Sequence, residues 1–171
     1  MAQKKSYDTE GYRKRVPKVI SEEKALEKAM YYCSRAEHCT HEVREKLSVW
    51  GLENLESIDK IIERLKTEKF IDDARFASSY IREKMIYNRW GKIKIAMHLR
   101  LKKIKESTYL ALLEDFDDET YITNLEYILG QKWRSIKGKD DYERKQKLIR
   151  FAFGRGYELD IVLEHVEKMT N

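Results

Sequence analysis

Two stretches of this chain concentrate side chains that bind anions. The first holds Arg82, Lys84, Arg89, Lys92, Lys94, Arg100, Lys102 and Lys103, and the second Lys132, Arg134, Arg144, Lys145, Lys147, Arg150 and Arg155. Each Lys or Arg bonds a phosphate or carboxylate oxygen, and each phosphate contact releases condensed counterions, so many of them on one face favour a polyanion. Tyr87, Trp90, Trp133 and Tyr142 are interleaved with these cations. Aromatics so placed either stack on single-stranded bases or pack at junctions between structural units, the commoner use of a tryptophan. On a regular helix Lys92 and Lys102 fall on the same side as Ile95 and Leu99, where their stems cover core surface. About half of the first set is therefore expected to face a partner.

Other residue combinations invite chemistry and lack its partners. Cys33, His38, Cys39 and His41 match none of the usual zinc-ligand spacings, and two of them are adjacent. Cys33 instead fits an apolar helix face, and Thr40 is expected to cap the helix that follows. Glu37 and His38 resemble an acid/base pair, but no nucleophile or oxyanion group accompanies them. Asp72 and Asp73, being consecutive, point to different sides of a helix, and carboxylates at a helix start are explained by its dipole. Gly154-Arg155-Gly156 is too short for a nucleotide loop. No catalytic residue, cofactor or metal is expected.

The elements that position the cations follow from composition and periodicity. Seven Gly and one Pro in 171 residues fall well below the roughly 12% of average usage, which argues against a turn-rich β fold. No apolar run is long enough to span a membrane, and the first residues lack the apolar core of a signal peptide. A cytoplasmic protein is expected, and two cysteines do not make a disulfide framework. The net charge of +5 is unevenly spread: residues 82–105 carry nine basic and one acidic side chain, 106–126 none and seven, 131–155 nine and three. Such alternation points to a polyanion or an acidic protein groove, or else to a solvated helix surface.

A repeat organises these blocks. Residues 43–65, 95–116 and 148–169 read alike, with Val43, Ile95 and Leu148 in register, then Leu47, Leu99 and Ala152, then Leu52, Ile104 and Tyr157. In the helix after the turn, Ile58, Leu110 and Leu163 are aligned, followed by Ile61, Leu113 and Val166. A further helix precedes each segment: Ala25, Leu26, Ala29, Met30 and Cys33 recur at helical spacing behind Ser21, and Phe76, Ala77, Tyr80, Ile81 and Met85 behind Asp72 and Asp73. Tyr121, Ile122, Leu125, Ile128 and Leu129 follow Asp117 and Asp118 in the same way. Nine helices in three units result, with Gly51, Gly91, Gly138, Gly154 and Gly156 at turns or helix ends. Residues 92–102 alternate like a strand, but the repeat register makes them helical. That helix is apolar on two sides, Ile95 with Leu99 and Ile93 with Met97 and Leu101. As the middle unit of three, its second side is expected to be buried against adjacent repeats.

The stretch Ala29–Leu47 with Trp50 and Gly51 resembles the first signature of the RecX regulatory-protein family, in which one helix ends in Ser-Arg and Glu-His introduces the next. The segment 70–77, FIDDARFA, with Tyr80, Arg82, Gly91, Lys94, Ile95, Leu99 and Ile104, resembles the second and most specific one. Lys132, the basic helix 144–155 and Gly156-Tyr157 are similar to the family's tail. Lys92 stands where a Pro often follows the Gly, Lys103 where a Gly often precedes the Ile, and Cys39 where a small hydroxyl residue is usual.

The resemblance implies an all-α fold of three tandem three-helix repeats, forming an elongated, curved array stacked right to left. A basic tail over residues 1–20, expected to lack order, precedes repeats over 21–69, 70–117 and 118–171. It further implies a monomeric, non-enzymatic modulator that binds the RecA filament on DNA, blocks its extension or promotes its disassembly, and so affects recombination, repair and the SOS response. Free DNA is expected to bind weakly and salt-sensitively. Two rival readings remain: a stand-alone DNA-binding protein using 140–169 as a helix-turn-helix, and an adaptor for another acidic protein.

Overall fold

A computed structural model describes residues 20–170; the tail expectation for residues 1–19 and the last residue lie outside them. Among the described residues there are nine helices and no strand: α1 (Glu22–Arg35), α2 (Thr40–Val49), α3 (Leu55–Thr67), α4 (Asp73–Ile86), α5 (Lys92–Leu101), α6 (Glu106–Glu114), α7 (Asp118–Ser135), α8 (Asp141–Gly154) and α9 (Leu159–Thr170). Residues 92–101, which alternate locally like a strand, are helical, as the repeat register requires. The helices begin where polar caps satisfy their free N–H groups. Asn54 accepts from Ser57 N–H at 3.1 Å, Asp72 from Ala74 and Arg75 at 2.9 and 3.0 Å, Asp117 from Thr120 at 2.8 Å and Asp140 from Glu143 at 2.7 Å.

The middle helix of every repeat ends the same way. Gly51, Lys103 and Gly156 adopt left-handed φ of 94°, 55° and 90°. The next residues, Leu52, Ile104 and Tyr157, donate their N–H back to the carbonyls of Leu47, Leu99 and Ala152, the closure typical of a left-handed helix end. Lys103, the residue that departs from the family's usual Gly, thus holds a conformation that favours glycine.

Four sequence expectations need correction. Thr40 does not cap α2: Cys39 is the N-cap and Thr40 is the first helical residue, its N–H and hydroxyl both donating to Asp73 at 2.8 Å. Asp73 accordingly ties two repeats together rather than serving only its own helix start. In the third helix of each repeat, Leu110 and Leu163 are exposed while Tyr109 and Val162 are fully buried. The linker to α3, Glu53-Asn54, is one residue longer than those to α6 and α9, so Ile58 aligns with Tyr109 and Val162. Finally, Ile93, Met97 and Leu101 are 48%, 48% and 67% exposed. α5 packs on α4 and α6, and the adjacent repeats reach its two ends, the third repeat through Gly91, Lys92 and Ile93 and the first through Lys102.

Two hydrophobic cores result. One is built on α1–α3 from Ala25, Ala29, Val43, Leu47, Ile58, Ile62 and Leu65, and takes in Ile71 from the loop before α4. The other runs unbroken through the second and third repeats, from Phe76 and Met85 to Tyr157 and Val166, and takes in Cys39. The first junction is largely polar: Arg75 pairs with Glu37 at 2.7 Å, Thr40 bonds Asp73, and Lys102 pairs with Glu42. Burial pushes Glu42 up, but hydrogen bonds from Lys102 and His38 outweigh it and hold its carboxyl below the usual range.

Candidate polyanion-binding cleft

The second junction brings the two basic stretches together. The loop before α5 crosses the turn after α8 with Gly91 against Gly156, so close that a Cβ on Gly91 would overlap the Gly156 carbonyl. Gly91 N–H donates to Arg155 O at 2.9 Å and Ile93 N–H to Gly156 O at 3.0 Å. Lys92, standing where the family often has Pro, uses the N–H that Pro lacks to bond the Tyr121 hydroxyl at 3.2 Å, which in turn donates to Glu158. Tyr157 donates to Arg89 O at 3.2 Å. Burial first, then the bond to Glu158, raises the Tyr121 pKa, and burial raises that of Tyr157, so both remain neutral hydrogen-bonding groups.

Beside this crossing the C-terminal ends of α4, α7 and α8 enclose an open cleft of about 460 Å³. Arg89 enters it from the first basic stretch, Lys132 and Arg155 from the second, with Tyr87, Tyr127 and Phe151 alongside. Among the described residues none of these three cations has a carboxylate within ion-pair distance. Aromatic rings hold them instead. The Arg89 guanidinium lies 4.2 Å from the Tyr127 ring centre, Lys132 and Arg155 lie 5.2 and 5.5 Å from that of Phe151, and Arg155 donates to Asn88 O at 3.2 Å. A ring orders a cation without neutralising it. The arrangement is therefore an anion site with its positive charge available.

The other candidates lie apart. Lys84 pairs with Glu83 and lies over Tyr80, Lys92 pairs with Asp118 at 3.5 Å, and Arg100 with Glu106 at 2.6 Å. Lys102 covers Phe76 and Tyr80, and Lys94 lies 4.6 Å from the Trp90 ring centre. Arg82 lines a separate groove with Leu112 and Phe116, and Lys103 is exposed at the far end of α5. In the third repeat Arg144 lies over Trp133 at 3.9 Å and pairs with Asp141, and Lys147 pairs with Glu143 at 2.8 Å. Arg150 bonds its own helix, Arg134 is exposed and Lys145 half-buried. Trp90 and Trp133 pack against the core, whereas Tyr87 and Tyr142 are exposed.

Sequence reasoning missed Tyr127 and Phe151. Phe151 precedes Arg155 by four residues, the spacing that places side chains on one helix face, so matching each cation to its i−4 neighbour would have found Phe151; Tyr127 precedes Gln131 by four, and no cation's spacing marks it.

The acid/base candidates are occupied structurally. Glu37 holds Arg75, His38 stacks on Tyr32 at 3.7 Å and bonds Glu42, Asp72 caps α4 and Asp73 holds Thr40. No group of three or more metal-ligating side chains occurs among the described residues, and none of their helices is long and apolar enough to cross a membrane. Burial first, then Glu37, pushes the Cys33 thiol up to about 11, away from reactive thiolate. The second helix of the 140–169 pair carries Asp160, Glu164 and Glu167 against Lys168, a charge balance unsuited to lying in a DNA groove.

Family models for the first, second and third three-helix domains of RecX match residues 25–65, 72–109 and 119–165. The chain belongs to the RecX family. It is 31% identical over 150 residues to the regulatory protein RecX of Vibrio parahaemolyticus, covering 87% of this chain and 92% of that one. To the regulatory protein RecX of Prosthecochloris aestuarii it is 29% identical over 146 residues, 85% and 93% of the two chains. Against the RecX of Clostridium perfringens strain 13, at 32% identity, it spans 61% of the relative's length. The fold is shared with a crystal structure of regulatory protein RecX, at a TM-score of 0.78 and 24% identity over 86% of this chain and 71% of the other. RecX from Lactobacillus salivarius is similar at a TM-score of 0.75, with 21% identity over 87% and 96%. All-α three-helix repeats are thus the family's architecture, and this RecX-family chain has that of a regulatory protein.

Proposed function

We propose that this chain is a non-enzymatic regulator that binds the RecA–DNA filament, limits its extension or promotes its disassembly, and so modulates recombination, DNA repair and the SOS response. Its relatives are named regulatory proteins RecX, and the name implies RecA as partner. The observation that carries the reading to this chain is the cleft, in which Arg89, Lys132 and Arg155 converge without carboxylates. A nucleoprotein filament offers both phosphates and acidic side chains to such a surface. Binding as a monomer in the cytoplasm, with weak and salt-sensitive affinity for free DNA, completes the proposal.

The test is RecA ATPase on single-stranded DNA with this protein added below one per RecA. Hydrolysis is expected to fall as the protein is titrated in. Unchanged hydrolysis at every ratio and at low salt overturns the reading.

A further inference from the structure

We propose that the cleft between the ends of α4, α7 and α8 is a binding site for single-stranded nucleic acid, taking one unstacked nucleotide with its flanking phosphates. The inference rests on the function proposed above only in that the strand is the one a recombinase holds; the site itself is argued from its own geometry.

The cleft's volume of about 460 Å³ suits a single nucleotide, whereas a duplex has no unstacked base to offer. Arg89 approaches from the loop after α4, Lys132 from α7 and Arg155 from the end of α8, so the strand's phosphates are met from several directions. Held by Tyr127 and Phe151 rather than by carboxylates, these cations bind an anion without first breaking an ion pair.

The aromatic content separates a strand from an acidic peptide. Tyr87 is 77% exposed and Tyr127 50% exposed, which leaves apolar ring surface open beside the cations. A peptide carboxylate gains little from an open ring, whereas every base has a face that stacks on one. Asn88 and Gln131, also in the wall, supply amide donors and acceptors of the kind that bond base edges. Tyr87 caps the end of α4, in the residues that lead into the Gly91–Gly156 crossing, and its exposed ring lines the same cleft as the three cations.

The experiment measures anisotropy of a short fluorescent oligothymidylate with the full chain, without RecA, across a series of salt concentrations. The unmodified protein is expected to bind this strand more tightly than an abasic strand of equal length, by at least about fivefold. Tyr87→Ala is expected to lose a similar factor while its salt dependence stays the same. Lys132→Gln is expected to reduce the slope of log affinity against log salt by about 0.7, one phosphate contact on a single strand. Far-UV circular dichroism verifies that each variant is folded, and the abasic comparison needs no variant. Equal binding of abasic and thymidine strands overturns the proposal, as does unchanged binding by Tyr87→Ala. Polyglutamate displacing the strand as well as unlabelled oligothymidylate of equal charge also overturns it, in favour of an acidic protein ligand. If the strand binds as described but RecA hydrolysis is unaffected, the regulatory reading fails and the site stands; the converse result separates them the other way.

Discussion

Gly91→Ala isolates the contact that unites the two basic stretches. Gly91 has φ −77° and ψ 162°, extended backbone open to any residue, so alanine brings no conformational penalty there. Its Cβ would instead overlap the backbone of Gly156 and Tyr157, and neither is the movable end of a side chain. The α8–α9 turn must retreat, weakening the bonds from Gly91 N–H to Arg155 O and from Ile93 N–H to Gly156 O. Overpacking of this kind costs about 1–3 kcal/mol and each net hydrogen bond about 0.5–1.5, which sets the loss at about 2–6 kcal/mol. Gly154→Ala, two residues before Gly156, meets nothing within 4 Å and ends a helix, so it should gain up to about 1 kcal/mol. Urea unfolding followed by circular dichroism compares the two variants with the parent. Arg89 and Arg155 flank the crossing, so Gly91→Ala should also lose oligonucleotide affinity while Gly154→Ala keeps it. A Gly91→Ala protein within about 0.5 kcal/mol of the parent, binding normally, would refute the argument that this contact builds the cleft.

Lys103→Gly should stabilise the chain by about 1 kcal/mol, because Lys103 sits at φ 55° where the equivalent residues are Gly51 and Gly156; thermal unfolding measures it, and a loss of stability would contradict the left-handed assignment. Asp73→Ala removes the acceptor of both Thr40 bonds and should raise amide exchange in α1–α3 more than in α7–α9, by about 1–3 kcal/mol of opening free energy. Glu42 has a lowered folded pKa, so its contribution is present above its ordinary value near 4.5 and lost as pH falls through the folded pKa. The first junction should therefore loosen on acidification below about pH 4.5, seen as exchange confined to α1–α3, and Lys102→Met should remove most of that pH dependence.

Helix positions were legible because burial leaves a 3.6-residue trace: Val43, Ile95 and Leu148, or Ala25 and Ala29, are read directly from spacing and are fully buried. The one-residue slip at Ile58, Tyr109 and Val162 was not, since a single extra linker residue shifts a register without altering the periodicity on either side. The exposure of Ile93, Met97 and Leu101 was not legible either, because an apolar stripe states what a side chain is and says nothing of what covers it. Cap chemistry misled at Thr40 for a related reason: its hydroxyl suits a cap, but Asp73, distant in sequence, takes it. The cleft was half legible. Charge density marked Arg89, Lys132 and Arg155 together with twelve other cations, and what separates these three is that they meet in one cleft without a carboxylate, which spacing along the chain does not state.

The cleft belongs to a junction rather than to a repeat. The second repeat supplies Arg89 and Tyr87, the third Lys132, Arg155 and Phe151, and neither set encloses anything alone. What joins them is backbone, the Gly91–Gly156 crossing with its two hydrogen bonds, laid on a core that runs through both repeats without a break. The first repeat has its own core and joins by side-chain bonds that acid or one substitution can weaken. Rigid geometry is thus reserved for the pair of repeats that must hold three unneutralised cations in register against their mutual repulsion. The first repeat, by contrast, meets the second through Cys39, fully buried in that shared core, and through the Thr40–Asp73, Arg75–Glu37 and Lys102–Glu42 bonds, so its attachment rests on side chains away from the Gly91–Gly156 crossing.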